Sequence, residues 1–303
     1  MTFLFTTPAT NSLREEPTVT LRNSGVPLNG WDKNKTRHNQ LRNLVAATTN
    51  LIRKTLVITE LEVRKILHDP TDLLLRAIQP ALWLLIFGQV LGRVRAIPTG
   101  NLTYLEFLAP GILAQSVLFV AIFSAMSIIW ERDLGIVHKF LASPTPRVAL
   151  VLGKALSAGI RSLTQVAIVS ILILLLGVKL NPNPLALLGV VLIVLLGAAC
   201  FSLFSLTIAC LVKTRERFMG IGQLLTMPLF FASNAIYPIS LMPGWLQILS
   251  RLNPLTYQVD ALRGLMLVNG VSTHSFGFNC AVLAFTTTLL TLICARLYPR
   301  LAI

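Results

Sequence analysis

The stretch PGILAQSVLFVAIFSAMSIIWERDLGIVHKFLASPTPRVALVLGKAL, residues 110–156, decides the fold. Its first part is apolar for about twenty positions, which is the length that a helix needs to cross a bilayer. Charged residues and the PTP sequence at 144–146 then interrupt it before a second apolar run begins. An interruption between two such runs has to face water, so we interpret it as a loop between two membrane crossings.

The composition of the whole chain is that of an integral membrane protein. Of its 303 residues, 54% are hydrophobic and 13% are charged, whereas soluble domains carry roughly a quarter of charged residues. The net charge of +14 would suggest nucleic acid in a soluble chain. Here most basic residues lie in short segments between apolar runs, so the charge concerns topology and anionic lipid, and no nucleic-acid partner is expected.

Six apolar runs are long enough to be spanning helices. They are residues 73–91, 107–129, 163–178, 185–212, 218–241 and 276–297. The third begins earlier, near Val148, if Lys154 and Arg161 lie at the level of the lipid headgroups or against a partner. The sequence therefore predicts an all-α integral membrane fold with six transmembrane helices.

The basic residues predict the orientation of these spans. With the N-terminus in the cytoplasm, most of the 26 Lys and Arg residues face the cytoplasm. Those left on the other side are Arg93, Arg95, Lys179, Arg251 and Arg263. Because short cytoplasmic loops are enriched in Lys and Arg, both termini and the loop after the second span are predicted to be cytoplasmic.

The N-terminal part divides in two. Residues 1–43 contain several prolines and glycines and no sustained apolar run, which is typical of a disordered cytoplasmic tail. The transmembrane domain follows as residues 44–303. Its first segment, 44–67, has one apolar stripe with basic residues around it, which predicts an interfacial helix on membrane lipids. An ordinary cytosolic helix is the alternative.

Residues 242–270, between the fifth and sixth spans, are too polar and proline-broken to cross a membrane, yet too apolar for a solvated loop. Non-helical backbone at membrane depth is tolerated where protein or a cavity surrounds it. We therefore expect an outer re-entrant hairpin of two short helices, with Trp245 and Tyr257 at the headgroup boundary.

The sequence lacks the patterns of membrane enzymes and ion-coupled carriers. No Asp or Glu falls at the middle of a predicted span, where proton relays and metal sites would need one. The VLGKAL segment at 151–156 lacks the first glycine and the Ser or Thr of a phosphate-binding loop. We therefore expect no catalytic, cofactor or metal site, and any ATP has to be bound by another subunit. An ATP-independent secondary carrier or channel is the main alternative, and a membrane transferase is a second one.

Two segments resemble the hallmark regions of ABC-2 type permeases, the membrane subunits of ABC exporters. They are residues 110–156, quoted above, and NPLTYQVDALRGLML at 253–267. The resemblance covers roughly residues 50 to 300 and is nearest to the daunorubicin-exporter and nodulation-type branches and to permeases of cyanobacteria and plastids. It implies export by a homodimer with separate ABC ATPase subunits. It also implies a multi-pass protein of the bacterial inner (plasma) membrane, with a plastid membrane as the alternative.

In such permeases the loop after the second span forms a short coupling helix that docks in a groove of the ATPase. By this resemblance, the matching positions are Glu131, Arg132, Asp133, Gly135, Lys139, Pro144, Pro146 and Arg147. A helix from about Glu131 to Leu141, stopped by Pro144, would make a rigid knob with charged ends. A charged loop that merely sets topology is the alternative.

The second hallmark predicts an outer gate formed by Asn253, Pro254, Tyr257, Asp260 and Arg263. Asn253 and Pro254 are expected to open a helix. Asp260 and Arg263 stand at i and i+3 and are expected to pair on one face of it. A structural ion pair is favoured over contact with the substrate.

The polar residues left inside the predicted spans include Gln115, Gln165, Gln223 and Asn234. Such side chains usually join neighbouring helices by hydrogen bonds, and lining a substrate path is the other interpretation. The absence of fixed charge in the middle of the membrane favours an apolar or amphipathic substrate over a small ion.

Overall fold

The computed structural model describes residues 53, 57, 60, 77–94, 97, 102–137, 147–212, 214–268 and 270–299. The predicted tail at 1–43 lies outside these residues. The predicted interfacial helix at 44–67 also lies outside them, apart from three positions that are helical.

The described chain is built from helices, with an isolated antiparallel bridge between Leu180 and Leu267. In chain order the helices are α1 (77–94, with a π-helical turn at Trp83–Phe87), α2 (Tyr104–Ser124), α3 (Met126–Asp133), α4 (Arg147–Leu175), α5 (Pro184–Ala209), α6 (Arg215–Phe231), α7 (Gly244–Leu252), α8 (Pro254–Met266) and α9 (Phe276–Leu297). The all-α prediction is confirmed for this part of the chain.

Four helical segments among the described residues are long and apolar enough to cross a membrane. They are α2 continued by α3, α4, α5 and α9. Helix α9 has the predicted bounds, and α5 begins and ends within three residues of its prediction. Helix α4 begins at Arg147 and has 29 residues, which confirms the early start near Val148 that the sequence left open.

The fifth predicted span, 218–241, is wrong in its second half. Helix α6 ends at Phe231, and turns at 232–237 and a 3-10 turn at Ile239–Leu241 follow. The Ser233 hydroxyl donates to the Phe230 carbonyl (2.7 Å) and accepts from the Ala235 amide (3.3 Å). These bonds satisfy backbone groups at the end of the helix, so the chain turns although its composition stays apolar.

Helix α5 lies at the centre of the bundle, packed against α2, α4, α8 and α9. It is strongly apolar along its length, as is typical of a helix surrounded by others. A second core cluster lies at the end of the bundle formed by α3, and it includes Ile128, Leu150, Phe218 and Tyr298. Four segments that are distant in sequence therefore meet at this end.

Gly111 marks a close approach between α2 and the turn after α6. A Cβ added at Gly111 would overlap the backbone carbonyl of Ala235, which cannot move aside as a flexible side chain can. We expect Gly111→Ala to lower the free energy of unfolding by about 1–3 kcal/mol. Thermal denaturation in detergent measures the effect, with Gly220→Ala as the matched control because a Cβ there meets open space. Equal losses in the two variants would contradict this packing.

Candidate functional site

The end of α3 is fixed to α4 by a buried ion pair. Lys154 Nζ donates to Glu131 Oε1 over 2.6 Å, and the two side chains are 10% and 8% exposed. A buried pair with this geometry holds two helices in a defined relation, because each charge left alone would be costly. Lys154, which the sequence placed at the headgroup level or against a partner, thus lies against Glu131.

A second pair joins α3 to α6 at the surface. Arg215 contacts Asp133 through Nη2 (2.7 Å) and Nε (2.9 Å), and its guanidinium lies 3.9 Å from the centre of the Trp130 ring. Arg132 donates to the carbonyl of Val212 over 3.1 Å. The end of α3 is therefore bonded both to α6 and to the segment that precedes α6.

The predicted helix from Glu131 to Leu141 is not continuous. Helix α3 ends at Asp133, and Gly135 takes a positive φ of 70° while its amide donates to the Arg132 carbonyl over 2.9 Å. Glycine adopts this left-handed conformation readily and commonly follows the last turn of a helix. The chain therefore bends at 134–135, and Leu134 is left 69% exposed at the bend.

Of the eight residues predicted to dock an ATPase, Lys139, Pro144 and Pro146 lie outside the described residues. Arg147 is the exposed first residue of α4. Glu131 is buried, whereas Asp133 is exposed and Arg132 and Gly135 are half-buried. The structure thus brings the described members to one end of the bundle, with Glu131 inside it. Trp130, Lys154 and Arg215 also belong here, although no sequence pattern assigns them to this site.

At the other end of the bundle, Asn253 and Pro254 open α8 as predicted. The Asn253 side chain caps the helix by accepting from the Leu255 amide (3.0 Å), and Pro254 is in the first turn. The same side chain donates to the carbonyl of Leu229 over 2.6 Å. Asn253 therefore fixes the start of α8 against the end of α6.

Asp260 accepts hydrogen bonds from the segment between α8 and α9. Oδ2 accepts from Ser272 Oγ (2.7 Å), the His274 amide (3.0 Å) and Asn279 Nδ2 (3.0 Å), while Oδ1 accepts from the Thr273 amide (2.7 Å). Burial alone would raise the pKa of Asp260, but these bonds favour the carboxylate, and the net effect is a lowered pKa. The hydrogen bonds to the Asp260 carboxylate thus hold residues 272–279 against α8.

The predicted ion pair between Asp260 and Arg263 is not formed. Arg263 Nη2 donates to the Asn234 carbonyl over 2.8 Å, and the guanidinium lies 3.9 Å from the centre of the Phe107 ring. Burial lowers the pKa of Arg263 to about 10, and the charge of Asp260 acts in the opposite direction. The two side chains leave α8 toward different neighbours, so their spacing along the helix does not bring them into contact.

Tyr257 and Trp245 differ in their exposure at this end. The Tyr257 hydroxyl donates to the Arg251 carbonyl (2.7 Å), and its ring lies 5.6 Å from His274 and 5.9 Å from Phe278. Trp245 on α7 is 69% exposed. Tyr257 therefore belongs to the packed contact between α8 and α9, and Trp245 lies at the surface.

The segment that comes nearest to a phosphate-binding loop in sequence is helical in the structure. The VLGKAL segment lies inside α4, where a helix replaces the loop that a phosphate site would need. No group of three His, Cys, Asp or Glu residues that could hold a metal ion is found in the described ranges.

The model of the ABC-2 type transporter family matches residues 53–267, which is well over half of the chain. The chain belongs to this family. It is therefore a member of a family of transport permeases and a membrane protein, as the two hallmark segments predicted.

Three relatives illustrate the family. The ycf38 transport permease of Cyanophora paradoxa is 29% identical over 230 residues, which are 75% of this chain and 79% of the relative. The daunorubicin resistance ABC transporter permease protein DrrB1 of Streptomyces coeruleorubidus is 27% identical over 199 residues, 66% of this chain and 70% of the relative. The inner membrane transport permease YadH of Escherichia coli K12 is 27% identical over 223 residues, 72% of this chain and 84% of the relative.

Proposed function

We propose that this chain is the permease subunit of an ATP-driven exporter, and that it works as a dimer with separate ABC ATPase subunits. The observation that carries the proposal is the end of α3, where one exposed bend is connected to α4 through Glu131–Lys154 and to α6 through Asp133–Arg215. The name of the relative DrrB1 as an ABC transporter permease supports the same function.

The proposed docking surface is the segment 131–147. Asp133, Leu134 and Arg147 are exposed in it, and Lys139, Pro144 and Pro146 complete it in the sequence. Glu131 takes part from inside, since it anchors the segment to α4. A displacement of this segment by the ATPase would move α3, α4 and α6 together, because both ion pairs join them. Closure of the ATPase pair on ATP would thus switch the permease between inward and outward access.

The six-span topology is supported by the contacts at this end. Segments predicted to be cytoplasmic meet here, since Arg132 contacts Val212, Arg215 contacts Asp133, and Tyr298 lies in the same core cluster as Ile128. We assign α1 and α6 as the two spans that complete the four long ones. Both termini are then cytoplasmic, and the membrane is an inner membrane, with a plastid membrane as the alternative.

Helices α7 and α8 form the proposed outer re-entrant hairpin. Trp245, Ile248, Leu249 and Leu252 give α7 an exposed apolar side, whereas most of α8 is buried. Such an apolar side is suited to the outer lipid leaflet. Because Asp260 and Arg263 attach α8 to three other parts of the bundle, the hairpin would gate the exit as one body.

Copurification from native membranes tests this function. We expect the tagged full-length chain to bring down a near-equimolar ABC ATPase subunit after extraction in mild detergent. Lys139→Glu and Gly135→Trp should reduce the recovered ATPase at least about tenfold, because charge complementarity and shape at the docking surface are lost. Lys179→Glu is the matched control, since Lys179 is an exposed basic residue in the loop between α4 and α5 at the opposite end. Recovery of the wild-type chain without an ATPase would favour a secondary carrier or channel instead.

A further inference from the structure

A small cavity, with room for about one water-sized group, lies between α1, α2 and α4. Gln79, Gln115 and Gln165 contribute one amide side chain from each of these helices, and Ser116 and Phe119 lie beside them on α2. Among the described residues, none of those lining the cavity is ionisable.

Two of the three amides in this cavity have buried atoms without a hydrogen-bond partner. Oε1 of Gln115 and both Oε1 and Nε2 of Gln165 are buried without a partner, and the two residues are 3% and 0% exposed. If these glutamines joined the helices in the usual way, they would bond to each other or to a neighbouring carbonyl. They do neither, and a buried amide without a partner is costly, above all in a membrane protein.

The depth of the cavity agrees with a place on a transport path. Gln115 lies about 16 Å along the span from its first residue, Tyr104, at the helical rise of 1.5 Å per residue. That span continues to Asp133 and covers 30 residues, so Gln115 is near the middle. In secondary transporters, substrate sites commonly lie at this depth.

We propose that this cavity binds an uncharged hydrogen-bonding group, a hydroxyl or a carbonyl, of an amphipathic cargo. The amides supply both donors and acceptors for such a group, and the lining offers no counter-charge for an ion. The half-buried Phe119 ring, which lies 4.6 Å from the ring of Phe123, provides an apolar surface for the rest of the molecule. The inference rests on the proposed transport function and specifies its cargo.

Binding to the purified full-length chain in lipid nanodiscs tests the proposal without any ATPase, so its failure is distinguishable from failure of the proposed function. The probes are 2-(hydroxymethyl)anthraquinone and its near-isostere 2-ethylanthraquinone, which lacks the hydroxyl group. We expect the hydroxyl probe to bind about tenfold more tightly, because the free amides gain a partner. Gln115→Met with Gln165→Met should abolish this preference while the ethyl probe binds as before.

Gln258→Met is the matched control. Gln258 is also buried with an unpartnered amide, but it lies on α8 against Gly197 and does not line the cavity. We expect this variant to keep the tenfold preference. Equal affinities of the two probes for the wild-type chain, absence of detectable binding, or a preference that persists in the double variant would each overturn the proposal.

The thermal stability of the ligand-free variants gives a second, independent test. If the Gln165 amide has a partner only when a ligand is bound, Gln165→Met removes unpartnered polar atoms from the ligand-free protein. Its melting temperature then stays the same or rises. A fall of several degrees would show that Gln165 holds helices together, directly or through water, and would overturn the proposal whatever the probes do.

Discussion

Glu131→Gln should lower the free energy of unfolding by about 3–5 kcal/mol, the largest effect that we expect from a single substitution. The substitution keeps the shape of the side chain but removes the carboxylate charge that lies 2.6 Å from the buried Lys154 ammonium. Lys154→Met should have a similar effect, because it removes the ammonium that pairs with the buried Glu131 carboxylate. The melting temperature of the detergent-solubilised chain, followed by size-exclusion chromatography, measures the loss.

The double variant distinguishes the loss of one ion-pair partner from non-specific destabilisation of the fold. Glu131→Gln combined with Lys154→Met removes both charges, so it should recover a large part of the stability lost in either single variant. Asp133→Asn serves as the control, since the Asp133–Arg215 pair is exposed and contributes at most about 1 kcal/mol. Additive losses in the double variant would contradict a direct buried ion pair between α3 and α4.

Asp260→Asn should lower the free energy of unfolding by about 3 kcal/mol. Three donors converge on Oδ2 and a fourth on Oδ1. The amide group of asparagine places a donor at one of these two positions, so at least one buried donor faces another donor in either orientation. Asn253→Asp is a useful comparison, because the new carboxylate still caps α8 but loses the donor to the Leu229 carbonyl.

The pH dependence of stability gives Asp260 a second readout. Its pKa is lowered in the folded protein, so the carboxylate stabilises the fold fully at pH values above the unfolded pKa of about 4. This contribution is lost as the pH falls through the lowered folded value. We expect the difference in melting temperature between wild type and Asp260→Asn to shrink below pH 4. A difference that stays constant down to pH 3 would contradict the role of the charge.

Much of the fold could be predicted from local sequence. Helices α5 and α9 are apolar runs with polar caps at their starts, where Asn183 accepts from the Leu185 amide and Ser275 from the Phe278 amide. Helix α6 was predicted too long because its end depends on distant residues. Asn253 binds the carbonyl of Leu229, and Arg263 binds the carbonyl of Asn234. Composition over a window of residues cannot indicate such bonds.

The candidate site was predictable in position but less so in detail. The break at 131–147 and the asparagine–proline start of α8 are visible in the sequence. Lys154, the partner of Glu131, is 23 residues away on another helix. From the sequence alone, a basic residue at this position could equally face the lipid headgroups. Likewise, the i and i+3 spacing of Asp260 and Arg263 says nothing about Ser272, Thr273 and Asn279, which bind the carboxylate instead.

Site-specific photo-crosslinking in cells tests the central claim most directly. A photoreactive phenylalanine analogue replaces Leu134 at the bend after α3 or, as the matched control, Trp245 at the start of α7. Both positions are apolar and 69% exposed. They lie at opposite ends of the bundle. Leu134 follows the end of the span that begins at Tyr104, and the Tyr104 hydroxyl donates to the carbonyl of Ile236, which lies shortly before Trp245 in the chain. We predict a crosslink from position 134 to an ABC ATPase subunit and none from position 245. The absence of an ATPase crosslink at 134, or equal crosslinks at both positions, would contradict docking at the end of α3.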